Sequence, residues 1–352
     1  MAYISFDNVK IVGISACVPK NISFNSELLN EYPKEEVDKI INNIGIKEKR
    51  FVDNDITASD LCFKAANRLL NDMNIEKSSI DVLIFLSQLP DYRIPATSPS
   101  LQDRLGLSKN TACFDISLAC SGYVYALSTA FAYASQKGIN RVLLLVGETF
   151  SKIVSKKDRV NAPLYGDAGT ATLIEKSANT TESFFSLFSD GSGFQSIIIK
   201  AGGSRCPSSS SNIIPVEKED GNFRSDSQVY MDGLEVFNFT LKVVPKSIID
   251  ILDYSKRDIN SINYFLFHQA NKFMIDFFVK KLKINSDKVP ISLDTFGNVS
   301  SPTIPLTIVS RLNNISNSEK KHVLMSGFGA GLTRGTALLD LNDCYICDLI
   351  EY

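Results

Sequence analysis

The strongest constraint on the fold of this 352-residue chain is an internal repeat. Residues 79–85 read Ser-Ile-Asp-Val-Leu-Ile-Phe, and residues 261–267 repeat that order as Ser-Ile-Asn-Tyr-Phe-Leu-Phe. A second matching pair, residues 142–144 and 323–325, stands at nearly the same separation. These runs are almost continuously apolar, which is typical of strands buried on both faces. Alternation of such strands with helical segments indicates an α/β fold, and a repeat of this long period indicates two similar halves rather than a solenoid.

The repeat also predicts how the chain is divided. We expect residues 1–178 to form an N-terminal half and residues 231–352 a C-terminal half, joined by residues 179–230. The connection contains a Ser- and Pro-rich run at 206–211 and a charged run at 217–221, a composition typical of a surface excursion. This excursion is either a lid or a tolerated insertion, and we slightly favour the insertion.

Composition and charge exclude several classes of partner. The net charge is −2, whereas nucleic-acid binders carry a basic surplus. No apolar run reaches the roughly 18 residues needed to cross a bilayer. Residues 1–20 lack the pattern of a secretory signal. We therefore expect a cytoplasmic protein with neither nucleic-acid nor membrane partners.

The seven cysteines are an odd and scattered set, which is typical of reduced thiols inside a cell. Cys344 and Cys347 form a single Cys-x-x-Cys, and the chain has only two histidines. A structural zinc site needs four ligands. We therefore expect no metal.

Cys120 is the first candidate for chemistry. It follows a strand-like run at 114–116 and precedes an apolar segment at 123–134 that predicts a buried helix. A thiol at a helix N-terminus lies near free backbone N–H groups and the positive end of the helix dipole, which favour the thiolate. This position predicts a nucleophile near neutral pH. The alternative is an inert buried cysteine.

Two further candidates lie in the second half. His268 ends the apolar run 264–267, and strand ends are where ligands bind in α/β folds. Asn298 lies in a Gly-Asn turn that the repeat relates to the turn of Cys120, so we expect the two turns to face each other. The alternatives are a hydrogen-bonded structural histidine and a plain turn asparagine. His322, at a strand start, is expected at the surface.

Two motifs carry weaker signals. The Gly-rich run 326–331 follows a predicted strand, and its N–H groups can point into a site, but it matches neither a Walker nor a Rossmann loop. Asp167, in a Gly-Asp turn, is expected to accept hydrogen bonds from backbone N–H groups rather than to act in catalysis.

Seven segments, in this order, resemble the β-ketoacyl-acyl-carrier-protein synthase III family of the thiolase-like superfamily. The likeness runs from about residue 8 to residue 341, and the segments are residues 45–50, 115–122, 165–169, 231–237, 268–271, 297–298 and 327–331. The resemblance implies a thiolase-like α/β fold with two duplicated halves packed as a five-layered αβαβα sandwich.

The resemblance also implies an activity. Cys120 takes an acyl group from a thioester, and His268 and Asn298 stabilise the enolate formed when a malonyl thioester loses carbon dioxide. The enolate then attacks the acyl group and gives a 3-oxoacyl product. The backbone N–H groups of Cys120 and Ala330 form the oxyanion hole, and Phe328 is an apolar wall. No cofactor is bound permanently, since coenzyme A or phosphopantetheine carries the substrate.

Some positions depart from the family pattern. Ala330 replaces the usual middle glycine, and its N–H can still serve if φ is negative. Ile94 stands where a bulky aromatic of the partner subunit often closes the acyl pocket, so we expect room for a longer or branched acyl group. The chain has no tryptophan, and Lys39 lies roughly where relatives stack one on the adenine of coenzyme A. The donor is therefore either acyl-coenzyme A or an acyl carrier protein.

The expected partners are malonyl-acyl carrier protein and, as the resemblance implies, a second copy of the chain in a homodimer. Lys272, Lys280 and Lys283 share a polar face at helical spacing, with Phe273 and Phe277 expected on the other side. Such a face either attracts an acidic carrier or is an ordinary solvated surface.

Three other functions compete with condensation. An acyltransferase of the same fold would use an alcohol or amine in place of the enolate, giving an ester or amide. A non-catalytic partner subunit is expected to have lost one of the three reactive residues, and none is lost. A non-decarboxylating thiolase would need a second cysteine in the Gly-rich run 327–331, which contains none.

Overall fold

A computed structural model describes residues 2–28, 33–178, 182–313 and 321–352. The strands in these residues are β1 Ala2–Phe6, β2 Val9–Val18, β3 Ile22–Phe24, β4 Glu48–Arg50, β5 Val82–Leu86, β6 Ala112–Ile116, β7 Arg141–Thr149, β8 Asp167–Lys176, β9 Ser183–Ser189, β10 Ile197–Ile198, β11 Val216–Glu217, β12 Phe223–Arg224, β13 Tyr230–Met231, β14 Tyr264–Phe267, β15 His322–Gly329, β16 Thr333–Asp340, β17 Tyr345–Ile346 and β18 Ile350–Glu351. The helices are α1 Asn25–Leu28, α2 Lys34–Ile44, α3 Ala58–Asp72, α4 Thr97–Leu105, α5 Gly122–Ala134, α6 Gly233–Ser255, α7 Lys272–Leu282, α8 Leu293–Phe296 and α9 Thr303–Leu312.

Two sheets carry the internal repeat. In the larger sheet, ordered β17-β2-β8-β7-β5-β6 with β18 beside β2, strand β5 is parallel to β7, and β8 runs antiparallel to β7. In the smaller sheet, ordered β1-β9-β16-β15-β14, strand β14 is parallel to β15, and β16 runs antiparallel to β15. The matched sequence segments thus occupy equivalent strands, and the mixed α/β fold predicted from them is confirmed.

The two ends of the chain pair with strands of different sheets. Strand β1 pairs with β9 in the smaller sheet, whereas β17 and β18 pair with β2 in the larger sheet. Strand β9, which falls in the expected connection 179–230, is an inner strand of the smaller sheet. The boundaries at residues 178 and 230, which we inferred from the sequence repeat, therefore remain a prediction.

The helices pack in an order set by the sheets. Helices α5 and α9 contact strands of both sheets, α3 and α4 contact the larger sheet, and α6 contacts the smaller sheet and α7. The main core is shared by α5, α9 and both sheets; for example, the Phe131 and Phe185 rings meet edge to face with centroids 5.3 Å apart. These contacts support the five-layered arrangement, which we keep as an expectation.

Local sequence signals account for two helices that frame the site. Helix α3 begins after Thr57, whose N–H donates to the Asp60 carboxylate at 2.9 Å, and it buries Leu61 and Leu69. Helix α5 begins at Gly122, where an added Cβ would lie 2.8 Å from Leu86 Cδ1 on β5. Glycine at that position allows the N-terminus of α5, and therefore the turn of Cys120, to sit directly against the sheet.

The excursion forms two small ribbons. Strand β11 pairs with β12, and β10 pairs with β13. Ile197 of β10 and Met231 of β13, which are register partners, line the cavity described below. The ends of the segment therefore lie beside the cavity, and its interpretation as an insertion stays a prediction.

Among the residues that the structure describes, no helix combines the length and the apolar character needed to cross a membrane.

Candidate active site

Cys120, His268 and Asn298 line a single cavity of about 400 Å³. Each comes from a different part of the fold: the turn before α5, the end of β14 and the turn before α9. The rest of the wall is mostly apolar and includes Leu164, Tyr165, Met231, Phe237, Met274 and Phe328. The cavity therefore suits an apolar chain that brings one polar reacting group to its base.

Cys120, in the turn before α5, is buried against the end of β15. It precedes Ser121, the N-cap of α5, and it is 7% exposed. A Cβ added at Gly329 would lie 2.8 Å from Cys120 Cβ and 3.2 Å from its Sγ. The backbone of β15 can approach the sulfur this closely only because residue 329 is glycine.

Burial controls the acidity of the Cys120 thiol. Loss of solvent raises its pKa to about 11, although a hydrogen bond with Ser300 acts in the opposite direction. Burial therefore opposes the thiolate that the sequence predicts near neutral pH. Desolvation opposes the charged form more strongly than the hydrogen bonds from the Ser300 hydroxyl and the Cys120 backbone favour it.

The Asn298 turn is fixed by backbone and side-chain hydrogen bonds. The Asn298 N–H donates to Leu164 O at 2.8 Å, and its carbonyl accepts from Gly166 N–H at 3.2 Å. The side-chain Oδ1 accepts from Ser300 N–H at 2.8 Å. This contact leaves the Nδ2 group, a hydrogen-bond donor, as the free end of the amide.

His268 is held by its backbone and by one ring nitrogen. Its N–H donates to Ser326 O at 2.8 Å, and the ring Nδ1 lies 2.8 Å from Thr303 Oγ1. The Phe328 ring meets it edge to face, with centroids 5.3 Å apart. Burial lowers the pKa of His268 to about 3, so the imidazole is neutral at physiological pH.

The predicted oxyanion hole involves two backbone positions. Ala330 directly follows β15, and it is not among the described non-glycine residues with positive φ, so the condition for its N–H to serve is met. Its carbonyl accepts from Thr333 Oγ1 at 2.7 Å, and that hydroxyl lies 2.6 Å from Ser121 Oγ. The side chain of Ala330 does not line the cavity, and the role of its N–H remains a prediction.

Phe328 lies in the cavity wall as expected, but Ile94 does not line the cavity of its own chain. Ile94 is 89% exposed, in the loop between β5 and α4. From the sequence, we expect Ile94 at the acyl pocket of a partner subunit. The exposure of Ile94 in its own chain does not test that prediction.

The predicted carrier-binding lysines are all exposed, but they lie at different distances from the cavity. Lys272 begins α7 beside Asn271, which lines the cavity, and its ammonium pairs with Asp276 at 2.5 Å. Lys280 and Lys283 lie at the far end of the same helix. Lys39 is on α2, which contacts α7.

The rim of the cavity is more apolar than the lysine pattern predicts. Leu234, which lines the cavity, is 70% exposed, and Phe273 is 55% exposed. The Phe273 ring contacts that of Phe237, another lining residue, with centroids 5.6 Å apart. Phe273 was expected on the buried side of α7, and it instead contributes to an exposed apolar surface beside Lys272.

Glu148 on β7 is a buried carboxyl that sequence reasoning missed. It accepts hydrogen bonds from Gln88 N–H at 3.0 Å, Ser301 Oγ at 3.1 Å and Ser87 Oγ at 3.3 Å. Burial raises its pKa to about 8. Glu148 therefore connects the larger sheet, through hydrogen bonds, to the turn that carries Asn298.

Lys49 packs against the same turn. It is fully buried, and its Nζ donates to Asn25 Oδ1 at 2.7 Å and to Ala162 O at 2.6 Å. A Cβ added at Gly297, where φ is +67°, would lie 2.8 Å from Lys49 Cγ. Burial lowers the pKa of Lys49 to about 7. The matching segment 45–50 thus contributes packing beneath Asn298.

The remaining sequence candidates have structural roles. Asp167 is buried and accepts from the N–H groups of Val52 and Ser151 at 2.9 and 3.0 Å, so the expectation that it binds backbone donors is confirmed. Cys344 and Cys347 are buried free thiols, and burial raises the pKa of each to about 12. His322 is partly buried and pairs with Asp340.

Two family models match the chain. The model described as 3-oxoacyl-[acyl-carrier-protein] synthase III matches residues 114–193, which contain Cys120. The model described as 3-oxoacyl-[acyl-carrier-protein] synthase III C terminal matches residues 252–341, which contain His268 and Asn298.

Individual relatives cover nearly the whole chain. A 3-oxoacyl-[acyl-carrier-protein] synthase 3 sequence from Campylobacter jejuni is 36% identical over 351 residues, which are 99% of this chain and 98% of the relative. A β-ketoacyl-[acyl-carrier-protein] synthase III from Clostridium perfringens is 32% identical, with 95% of this chain and 99% of the relative covered.

A solved structure agrees with the fold as well as the sequence. The crystal structure of a 3-oxoacyl-(acyl-carrier-protein) synthase from Burkholderia xenovorans superimposes with a TM-score of 0.93 at 36% identity, and the match covers 100% of this chain and 99% of that chain. The chain therefore belongs to the β-ketoacyl-acyl-carrier-protein synthase III family of the thiolase-like superfamily.

Proposed function

We propose that this chain is a condensing acyltransferase that uses Cys120, His268 and Asn298. It moves an acyl group from a thioester to Cys120 and then joins that group to a malonyl thioester with loss of carbon dioxide. The observation that carries the proposal is the meeting of these three side chains on one largely apolar cavity. The family membership supports the same reaction class.

The first half-reaction is a thiol–thioester exchange. The Cys120 sulfur attacks the carbonyl carbon of the donor, the bond from that carbon to the donor sulfur breaks, and the thiol proton ends on the departing sulfur. The tetrahedral oxyanion accepts hydrogen bonds from the N–H groups of Cys120 and Ala330. The Ser300 hydroxyl, 3.5 Å from Cys120 Sγ, stabilises negative charge on the attacking sulfur.

The second half-reaction forms the carbon–carbon bond. The malonyl carboxylate leaves as carbon dioxide, and the electron pair of the broken bond forms an enolate. Asn298 Nδ2 and a ring N–H of His268 donate to the enolate oxygen. The enolate carbon attacks the acyl group on Cys120, the sulfur–carbon bond breaks, and the Cys120 thiolate takes a proton from solvent.

The apolar wall favours the loss of the carboxylate. Phe328 lies beside His268, and the neutral imidazole offers no positive charge to the malonyl carboxylate. A carboxylate held against such a surface is poorly solvated, whereas carbon dioxide is neutral. The site needs no strong base in this step, since decarboxylation itself generates the carbanion.

The substrates reach Cys120 on a carrier arm, and no permanent cofactor takes part in the proposal. We infer acyl-coenzyme A or acyl carrier protein as the donor and malonyl-acyl carrier protein as the acceptor. An acidic carrier is attracted by Lys39, Lys272, Lys280 and Lys283. The exposed Leu234 and Phe273 add apolar contact area at the rim.

The proposal includes a cytoplasmic homodimer. Among the strands that the structure describes, β6 is the edge of the larger sheet, and its outer side can pair with a second copy. The exposed Ile94 then reaches the acyl pocket of the partner subunit, where its modest size admits longer or branched acyl chains.

The test separates condensation from acyl transfer to another nucleophile. Protein loaded with a labelled acyl group on Cys120 is mixed with malonyl-acyl carrier protein, and the product is identified by mass spectrometry. We expect a 3-oxoacyl carrier and release of carbon dioxide. Loss of the label only to an alcohol or amine, with malonyl-carrier left intact, would support the ester- or amide-forming acyltransferase instead.

A further inference from the structure

The Nδ1 atom of His268 has a neighbour that is itself anchored at two points. Thr303 Oγ1 lies 2.8 Å from His268 Nδ1 and 2.8 Å from Ser300 O. Thr303 is the first residue of α9 and is 1% exposed, so water does not compete for its hydroxyl. The three groups form a buried chain of hydrogen bonds on the side of the ring away from Nε2.

The single hydroxyl proton of Thr303 can serve only one of these neighbours. If it goes to Ser300 O, the ring proton must lie on Nδ1, and Nε2 then carries a lone pair. If it goes to Nδ1, the ring proton lies on Nε2, and Nε2 is a donor. The Ser300 carbonyl does not lose its partner in the second arrangement, because the Thr303 N–H also donates to it at 3.3 Å.

The negative charge of the enolate determines which of the two arrangements can support catalysis. A neutral imidazole can stabilise a negative oxygen only through a ring N–H, and Nδ1 is already engaged by Thr303. Nε2 must therefore carry the proton. Of these two neighbours, only the Thr303 hydroxyl can donate to Nδ1, since the Ser300 carbonyl is an acceptor alone.

We propose that Thr303 is a positioning residue that holds the ring proton of His268 on Nε2 by donating its hydroxyl hydrogen bond to Nδ1. The inference deepens the proposed function, on which its catalytic consequence rests. Without the hydroxyl, the Ser300 carbonyl, which also hydrogen-bonds with His268, favours the ring proton on Nδ1, and the Nε2 lone pair then opposes the enolate oxygen. Acylation of Cys120 does not use this N–H.

The ring tautomer can be measured directly by ¹⁵N NMR of histidine-labelled protein. The chain has only two histidines, and His322→Asn identifies the signals of His268. We expect the wild type to carry its proton on Nε2 and Thr303→Val to carry it on Nδ1. Thr303→Ser, which keeps the hydroxyl, should restore the wild-type pattern. A wild-type proton on Nδ1 would overturn the proposal even if no variant folds.

The two half-reactions give a second readout. In Thr303→Val we expect malonyl decarboxylation to fall about 100-fold, the typical effect of one lost oxyanion donor, while acylation of Cys120 stays within about threefold. Thr303→Ser should recover most of the decarboxylation rate. Equal loss of both half-reactions, or no loss of decarboxylation, would contradict the proposal. Wild-type protein that acylates but never decarboxylates would instead refute the proposed function, and the NMR result would still stand.

Discussion

The Cys120 sulfur lies 3.5 Å from the Ser300 hydroxyl oxygen, although 180 positions separate the two residues in the chain. Each belongs to a turn that follows the repeated α/β pattern, one in each half. Ser300 has a φ of +58°, and its N–H donates to Asn298 Oδ1, so the same turn supplies both the neighbour of the sulfur and the candidate amide donor. The duplication thus brings together groups that neither half contains alone.

Replacing Gly329 by alanine should block acylation. The new Cβ would lie 2.8 Å from Cys120 Cβ and 3.2 Å from its Sγ, so the sulfur must move. We expect Gly329→Ala to slow acylation by about 100-fold or more in a stopped assay with mass-spectrometric readout. Gly138→Ala is the matched control, because its Cβ would meet nothing within 4 Å. A Gly329→Ala enzyme that acylates at the wild-type rate would mean that Cys120 is not the acceptor.

Replacing Asn298 by alanine should separate the half-reactions. The variant loses the Nδ2 donor to the enolate and the Oδ1 acceptor of the Ser300 N–H, but it removes no atom that contacts the acyl carbon on Cys120 in the proposed acylation step. We expect release of carbon dioxide from malonyl-carrier to fall about 100-fold, equivalent to about 3 kcal/mol, with acylation little changed. Wild-type decarboxylation in Asn298→Ala would remove this residue from the proposed mechanism.

The reactivity of Cys120 should rise steeply with pH. Burial raises the pKa of its thiol to about 11, so the thiolate fraction in the free enzyme grows about tenfold for each pH unit between 7 and 10. The rate of alkylation by iodoacetamide, followed at the Cys120 peptide, should follow that slope. Cys120→Ala identifies background labelling of the other thiols. A rate that is already level at pH 7 would show instead a thiolate stabilised at neutral pH.

Glu148 should make the protein less stable as the pH rises. Its folded pKa of about 8 lies above the ordinary value of 4.5, so between these values the folded state holds a proton that the unfolded state has lost. The free energy of unfolding should fall across this window, by at most about 1.4 kcal/mol per pH unit from this group. Denaturant titrations at pH 5.5 and 8 should show a smaller decline in Glu148→Gln than in the wild type. The exposed variant Glu217→Gln should leave the decline unchanged, and an equal decline in all three proteins would rule out this role for Glu148.

Local patterns predicted the parts of the fold that depend on short segments. The apolar runs correctly predicted β5, β7 and β14, and the segment 123–134 predicted α5 to within one residue. Cys120, His268 and Asn298 could be chosen as candidates because each lies in a recognisable motif next to a strand or turn, and the structure brings all three to one cavity. The pairing of β1 with β9 in the smaller sheet has no local sequence signal, because pairing between distant strands is decided by tertiary packing.

The environment of each site residue was harder to predict. The acidity of Cys120 depends on burial, which a sequence does not display, and the helix N-terminus alone suggested the opposite direction. Glu148 was missed because a lone glutamate is normally exposed. The contacts of Thr303 with His268 and of Ser300 with Cys120 were missed because each joins residues far apart in the chain. Phe273 was misplaced because the helical period does not reveal that the adjoining surface is the rim of a cavity.

In the proposed reaction Cys120 carries the acyl group, and intact-protein mass spectrometry after incubation with acyl thioesters of graded length detects that group. We expect one acyl addition to the wild type, located by peptide mapping on Cys120, and none to Cys120→Ala. We also expect malonyl-acyl carrier protein to remove the addition and to yield a 3-oxoacyl carrier. An addition that persists in Cys120→Ala, or a wild type that takes up no acyl group from any donor of the series, would show that Cys120 is not the acyl carrier.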